Sequence, residues 1–139
     1  MNLVIDASVA VKWIMRQPAT EPNVDEALAV LRSLRAGTHK ALVPPHFKAE
    51  VLAVVARLRP QRVPITFGIL SSAGMEVVAT DTAVRRAADL AIRLQHHLFD
   101  TLYHAVAIET GGTLITSDQV YYAKAAGRGS IQLLEDFEI

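Results

Sequence analysis

The chain has 139 residues, 51% of them hydrophobic and 20% charged, and its 14 basic and 14 acidic side chains give a formal net charge of zero. That length and apolar share fit one domain, residues 1–139, with a sizeable core, and argue against disorder. Cysteine is absent, which excludes disulfides, zinc–thiolate sites and thiol catalysis.

In chain order, residues 2–5 read as a short buried strand, and Asp6-Ala7-Ser8 can cap a helix over 9–15 that Gln17-Pro18 stops. Pro22-Asn23 opens a second helix over 24–35, with Ala27, Leu28, Leu31 and Leu34 at helical spacing and Gly37 as its stop. A strand over 41–43 is cut by Pro44-Pro45 and followed by a helix over 46–58, a turn over 60–64 and a helix over 65–73. A strand candidate over 75–79 precedes a helix capped by Asp81 or Thr82 and running to about residue 94. Asp100 starts a helix that runs to 110 and is closed by Gly111-Gly112. A strand at 114–115, a helix over 119–126 and a strand over 131–134 complete the chain.

Strands alternate with helices throughout, which predicts an α/β domain with a mostly parallel, two-sided sheet. The helix pair between residues 46 and 74 reads as an insertion within that domain. Right-handed crossovers place the strand C-termini on one edge, where open sheets bind ligands. No segment is apolar for a membrane-spanning length and Met1-Asn2-Leu3 has no basic leader, so a soluble, cytoplasmic protein is expected. With no net charge, any contact with nucleic acid must come from a local patch and be salt-sensitive.

Four acids sit at or near the joints between elements: Asp6 after the first strand, Glu50 in the third helix, Asp100 at a helix start and Asp118 after Thr116-Ser117. Asp6, Asp100 and Asp118 could each be only a helix cap. Glu50 is harder to explain that way, because Phe47, Val51 and Val54 flank it at spacings of one, three and four. Gathered on one sheet edge, four carboxylates would repel each other unless a divalent cation were bound. Hard oxygen ligands suit Mg²⁺ or Mn²⁺, which can activate a water for in-line attack on a phosphodiester. Ser8 and Thr116 place short hydroxyls near the same joints and could support a ligand or serve only as turn residues.

These residues, in this order, resemble the PIN-domain family, and within it the VapC-type toxin ribonucleases. The resemblance rests on Val4-Ile5-Asp6-Ala7-Ser8-Val9-Ala10-Val11-Lys12-Trp13, on Phe99-Asp100-Thr101-Leu102-Tyr103-His104-Ala105-Val106-Ala107, on Leu114-Ile115-Thr116-Ser117-Asp118, and on Glu50 after Pro44-Pro45. It implies a three-layer α/β/α sandwich with a five-stranded sheet and Mg²⁺- or Mn²⁺-dependent cleavage of RNA. It also implies Asp6, Glu50, Asp100 and Asp118 as the catalytic and metal-binding acids, with Ser8 and Thr116 supporting. The resemblance further implies a homodimer, the usual state of such toxins, held inactive by a cognate antitoxin whose tail enters the groove. Many relatives carry a polar residue a turn beyond the helix acid, where this chain reads Val51-Leu52-Ala53-Val54, and some carry a further acid where it has Tyr121-Tyr122.

Other residues carry weaker signals. His104, four residues after Asp100, could orient a carboxylate or contact phosphate, or lie on the helix surface or a dimer contact. Adjacent His96 and His97 point in different directions, which is poor metal geometry, and read as a loop-edge pair. Arg57, Arg59, Arg62, Arg85 and Arg86 could form a basic rim or a solvated face. Trp13 and Tyr103 read as core or interface residues. A receiver-type phosphoacceptor domain fits poorly, because Asp6 stands alone before Ala7 and no lysine follows the last strand. A catalytically silent PIN-like domain that only binds RNA or protein is the remaining alternative.

Overall fold

A computed structural model describes residues 1–16 and 21–138. Five strands, β1 (Asn2–Ile5), β2 (Lys40–Val43), β3 (Glu76–Val77), β4 (Thr113–Thr116) and β5 (Ile131–Leu133), form one sheet in the order β3-β2-β1-β4-β5, and all four pairings are parallel. The order reverses direction between β1 and β4, so the C-terminal ends of these two strands border the crevice where doubly wound sheets take ligands. β1, β2 and β4 carry near-continuous buried side chains, as strands covered on both faces must. β3 is a two-residue edge strand with both side chains exposed, shorter than the run 75–79 suggested.

The helices are α1 (Ala7–Met15), α2 (Val24–Arg35), α3 (Phe47–Leu58), α4 (Val63–Ser72), α5 (Asp81–Leu94), α6 (Leu98–Thr110) and α7 (Gln119–Ala125). α6 lies against β1, β2 and β4 with α5 packed on it, while α1 packs against α2, α3, α4 and β4, giving the three-layer α/β/α arrangement. Trp13 is fully buried and its indole N–H donates to the Ala27 carbonyl at 2.8 Å, which ties α1 to α2 without leaving a polar atom unpaired. The stop expected at Gln17-Pro18 lies outside the described residues; within them, Arg16 closes α1 in a left-handed conformation with φ 44°.

Three boundaries differ from the sequence reading for local reasons. α4 begins at Val63, two residues early, because a proline such as Pro64 is tolerated in a first helical turn. The cap of α5 is Thr80, whose hydroxyl accepts from the Ala83 N–H at 3.2 Å, and Asp81 is already the first helical residue. α6 begins at Leu98, so Asp100 does not start it but is its third residue. At the far end of α6, Gly111 takes φ 69° and turns the chain into β4. A Cβ on the next residue, Gly112, would sit 2.8 Å from the Asn2 carbonyl oxygen, so glycine lets β4 approach β1.

Candidate functional site

The residue after β1 and the last residue of β4 meet across the switch point. Asp6 N–H donates to the Ile115 carbonyl at 3.2 Å, extending the ladder one residue beyond the strand. This sets the Asp6 carboxylate against Thr116, whose hydroxyl donates to Asp6 Oδ2 at 2.6 Å, and Ser8 donates to the same oxygen at 3.0 Å. Each hydroxyl also accepts a backbone N–H: Ser117 donates to Ser8 Oγ at 3.1 Å and Asp118 to Thr116 Oγ1 at 3.0 Å. Ser8 and Thr116 therefore fix Asp6 and, through their accepting lone pairs, the start of the turn that carries Asp118. Asp6 precedes α1 in an extended conformation, yet its side chain makes no capping bond to the helix. The capping reading fails for this residue because its carboxylate is already committed across the sheet edge.

The other three acids arrive on separate elements. Glu50 lies in the first turn of α3, and its Oε1 accepts from the Tyr103 hydroxyl at 2.9 Å and lies 2.7 Å from His46 Nε2. Tyr103 is buried, and burial together with the charges of Glu50 and Asp6 holds its hydroxyl far above the usual range, so it remains a donor. Asp100 Oδ2 is 3.0 Å from His96 Nε2. Asp118 does cap a helix: its Oδ1 accepts from the Tyr121 N–H at 2.9 Å at the start of α7. All four acids line one open cleft of about 410 Å³, together with Ser8 and Lys12.

Electrostatics in the cleft bear on what it can hold. The Asp6 carboxyl is pushed up to about 6, mainly by burial and further by the charges of Glu50 and Asp100, against the lowering effect of the Thr116 and Ser8 hydroxyls. A divalent cation would remove that penalty, and the donors present are the hard oxygens that Mg²⁺ and Mn²⁺ take. The tightest grouping among the described residues is His96, Asp100 and Asp118, whose ligand atoms all lie within 4.8 Å of one another. Asp6 and Glu50 face the same space from the floor and the α3 wall.

Two residues at this site were not assigned to it from the sequence. Lys12 is buried on α1 one turn beyond Ser8, and its ammonium bonds Glu21 Oε2 at 3.1 Å and the Pro22 carbonyl at 2.8 Å at the edge of the cleft. The i, i+4 spacing from Ser8 was the available signal. His96 was read as half of a loop-edge pair, whereas it pairs with Asp100. His104 departs from both of its expected roles. It is fully buried, its Nε2–H donates to the Gly129 carbonyl at 2.8 Å and its Nδ1 lies 2.8 Å from the Tyr121 hydroxyl. Burial lowers its pKa, and it stays a neutral core residue that touches neither Asp100 nor the surface. Among the arginines, Arg62 donates to the Ile14 carbonyl at 3.3 Å and Arg86 pairs with Glu109, and none of the five lines the acidic cleft.

Comparison with solved structures gives similar folds at low identity. VapBC2 from Rickettsia felis, bound to a DNA fragment from its promoter, aligns with a TM-score of 0.69 and 17% identity over 96% of this chain and 97% of that chain. PAE2754 from Pyrobaculum aerophilum aligns with a TM-score of 0.68 and 18% identity over 97% of this chain and 85% of that chain. A search of curated proteins gave no match. The family model of the PIN domain matches residues 3–127, a stretch that holds all four acids of the cleft, and the chain belongs to the PIN domain family.

Proposed function

We propose that this protein is a Mg²⁺- or Mn²⁺-dependent endoribonuclease of VapC type, the toxin of a toxin–antitoxin pair. One observation carries the reading: Asp6, Glu50, Asp100 and Asp118 come from four separate elements and face one cleft at the β1/β4 switch point. A cap explains Asp118 singly and a solvated charge Glu50 or Asp100; neither explains Asp6 or the convergence of all four.

A divalent cation bound by these acids would supply Lewis-acid polarisation of a phosphodiester and a nucleophilic water at neutral pH. The chain's own residues do the rest. Thr116 and Ser8 hold Asp6 Oδ2 in one orientation, and Tyr103 holds Glu50 Oε1. Preorganised carboxylates need no reorganisation when charge develops at the phosphate. Lys12 fixes the wall beside Ser8, its charge offset by Glu21, which also lines the cleft. With zero net charge on the chain and five acids against one lysine lining the cleft, RNA phosphate is attracted to it only once cations are bound.

The partners follow from the same reading. The neighbour from Rickettsia felis is a VapBC complex, which supports a cognate antitoxin covering the cleft here, and a homodimer in the cytoplasm is the proposed state. Among the described residues no helix is long and apolar enough to cross a membrane.

The test is cleavage of a mixed RNA pool by the purified chain with Mn²⁺, with Mg²⁺ and with chelator. Metal-dependent cleavage by the wild type that Asp6→Asn and Asp100→Asn abolish, with the fold kept, is expected. Metal-dependent cleavage retained by Asp6→Asn would overturn the assignment, and a wild type that binds Mn²⁺ by calorimetry without cutting any RNA would favour a silent binding domain.

A further inference from the structure

We propose that His96 is a nitrogen ligand of the metal centre, so that the site prefers Mn²⁺ and later divalent transition ions to Mg²⁺. This rests on the reading of the cleft as a metal centre and sharpens it.

His96 is not part of the four-acid set, yet its Nε2 is the closest donor to Asp100 Oδ2, at 3.0 Å. The Asp118 carboxylate joins the same grouping within 4.8 Å. The ring is also held in place. Its side chain is only 9% exposed and packs against Tyr121 with ring centroids 4.8 Å apart. An imidazole packed in place, with Nε2 on Asp100 and the Asp118 carboxylate in the same grouping, forms a mixed nitrogen and oxygen set. Mn²⁺ shares the taste of Mg²⁺ for carboxylates but begins the divalent transition series whose affinity for nitrogen donors rises towards Cu²⁺, whereas Mg²⁺ takes oxygen and keeps its waters.

Lys124 gives the proposal a second handle. Its ammonium lies 3.2 Å from His96 Nδ1 and also donates to the Gln95 carbonyl at 3.1 Å. An ammonium can only donate, so in this arrangement Nδ1 is the acceptor and the ring proton sits on Nε2, shared with Asp100. A cation that takes Nε2 displaces that proton. The neutral ring then carries its proton on Nδ1, and Lys124 must turn away, which its exposed position allows. Lys124 thus opposes metal binding if His96 is a ligand, and supports the site if His96 only orients Asp100.

The experiment titrates Mn²⁺ and Mg²⁺ separately into the full chain by calorimetry, comparing wild type, His96→Gln, His96→Ala and Lys124→Met. Glutamine keeps an N–H for Asp100 but is a poor ligand for a transition ion. Expected results are a loss of about tenfold or more in Mn²⁺ affinity for both His96 variants, a Mg²⁺ affinity changed far less, and tighter Mn²⁺ binding by Lys124→Met. Pulsed electron paramagnetic resonance of the Mn²⁺ complex should show nitrogen coupling in the wild type that His96→Gln lacks. Wild-type Mn²⁺ affinity in His96→Gln, or no nitrogen coupling in a wild type that binds Mn²⁺, overturns the inference and leaves the metal centre standing. A wild type that binds neither ion overturns both.

Discussion

At the floor of the cleft, Asp6 is tied by two hydroxyls that are themselves fixed by backbone N–H groups, and its surroundings work against its charge. At the rim, Asp100 and Glu50 have side chains 38% and 37% exposed, and each rests against a histidine. Water can solvate the rim charges with or without a cation. Asp6 is only partly exposed and its charge is opposed by burial, so its ionisation is the part of the site most dependent on a bound cation. On the proposed reading, the floor would set whether a metal centre assembles, and the rim would tune which ion and substrate it takes.

The largest expected effect contrasts these two regions directly. Asp6→Asn should lower RNA cleavage by more than about a thousandfold, since several kcal/mol of transition-state stabilisation depends on the cation it helps to hold. Glu50→Gln should cost about ten- to a hundredfold, because the remaining acids keep the ion. Single-turnover rates at saturating Mn²⁺ measure both. Equal losses would erase the division between floor and rim.

Stability should move the opposite way. The Asp6 carboxyl, raised from 3.8 to about 6, binds its proton more tightly in the folded state than in the unfolded chain. Its contribution to stability is fully present below pH 3.8 and is lost as pH rises through about 6. Asp6→Asn should therefore stabilise the metal-free protein at pH 7.5 by about 1–3 kcal/mol, discounted for partial exposure, and much less at pH 4. Denaturant unfolding in chelator at the two pH values gives the difference. Adding Mn²⁺ should stabilise the wild type and not the variant. No gain at pH 7.5 would mean that Asp6 is well solvated after all.

Thr116→Val tests the frame around that carboxylate. Valine matches the shape but removes the donor to Asp6 Oδ2 and the acceptor for the Asp118 N–H. The cost should be about 1–3 kcal/mol, with cleavage reduced through a misplaced Asp6 and not through a lost ligand. Thr116→Ser, which keeps the hydroxyl, should restore most of the cleavage. A Thr116→Val protein as active as wild type would remove Thr116 from the supporting role.

Much of the fold was legible because periodicity and punctuation agree along the chain: the α2 helix, the glycine stop after α6 and the five strands follow from apolar spacing and turn residues. The acids were legible as a set because parallel strands put their joints on one edge. Sequence spacing misled where tertiary contacts decide. His104 sits four residues after Asp100, as a partner on one helix face would, but α6 is covered by α5 and the sheet, and His104 turns into the core. The partner of Asp100 is instead four residues before it. Because Gln95 adopts φ 51° at the end of α5, the chain folds back and brings His96 beside the first turn of α6, a geometry that adjacency with His97 concealed. Lys12 was hidden because its anchors, Glu21 and the Pro22 carbonyl, belong to a different segment.

Asp118 stands between the two regions, since it caps α7 with Oδ1 and also belongs to the rim grouping with His96 and Asp100. The two roles separate by substitution. Asp118→Asn keeps an oxygen for the Tyr121 N–H but removes the charge, whereas Asp118→Ala removes both. Loss of the cap should cost about 1 kcal/mol in Asp118→Ala and under about 0.5 kcal/mol in Asp118→Asn, read by denaturant unfolding without metal. Mn²⁺ affinity should fall by a similar factor in both, because a cation needs the carboxylate and is indifferent to the cap. If Asp118→Asn instead bound Mn²⁺ and cleaved RNA like the wild type, Asp118 would be a helix cap alone, and the rim would hold its ion through Asp100 and His96 without it.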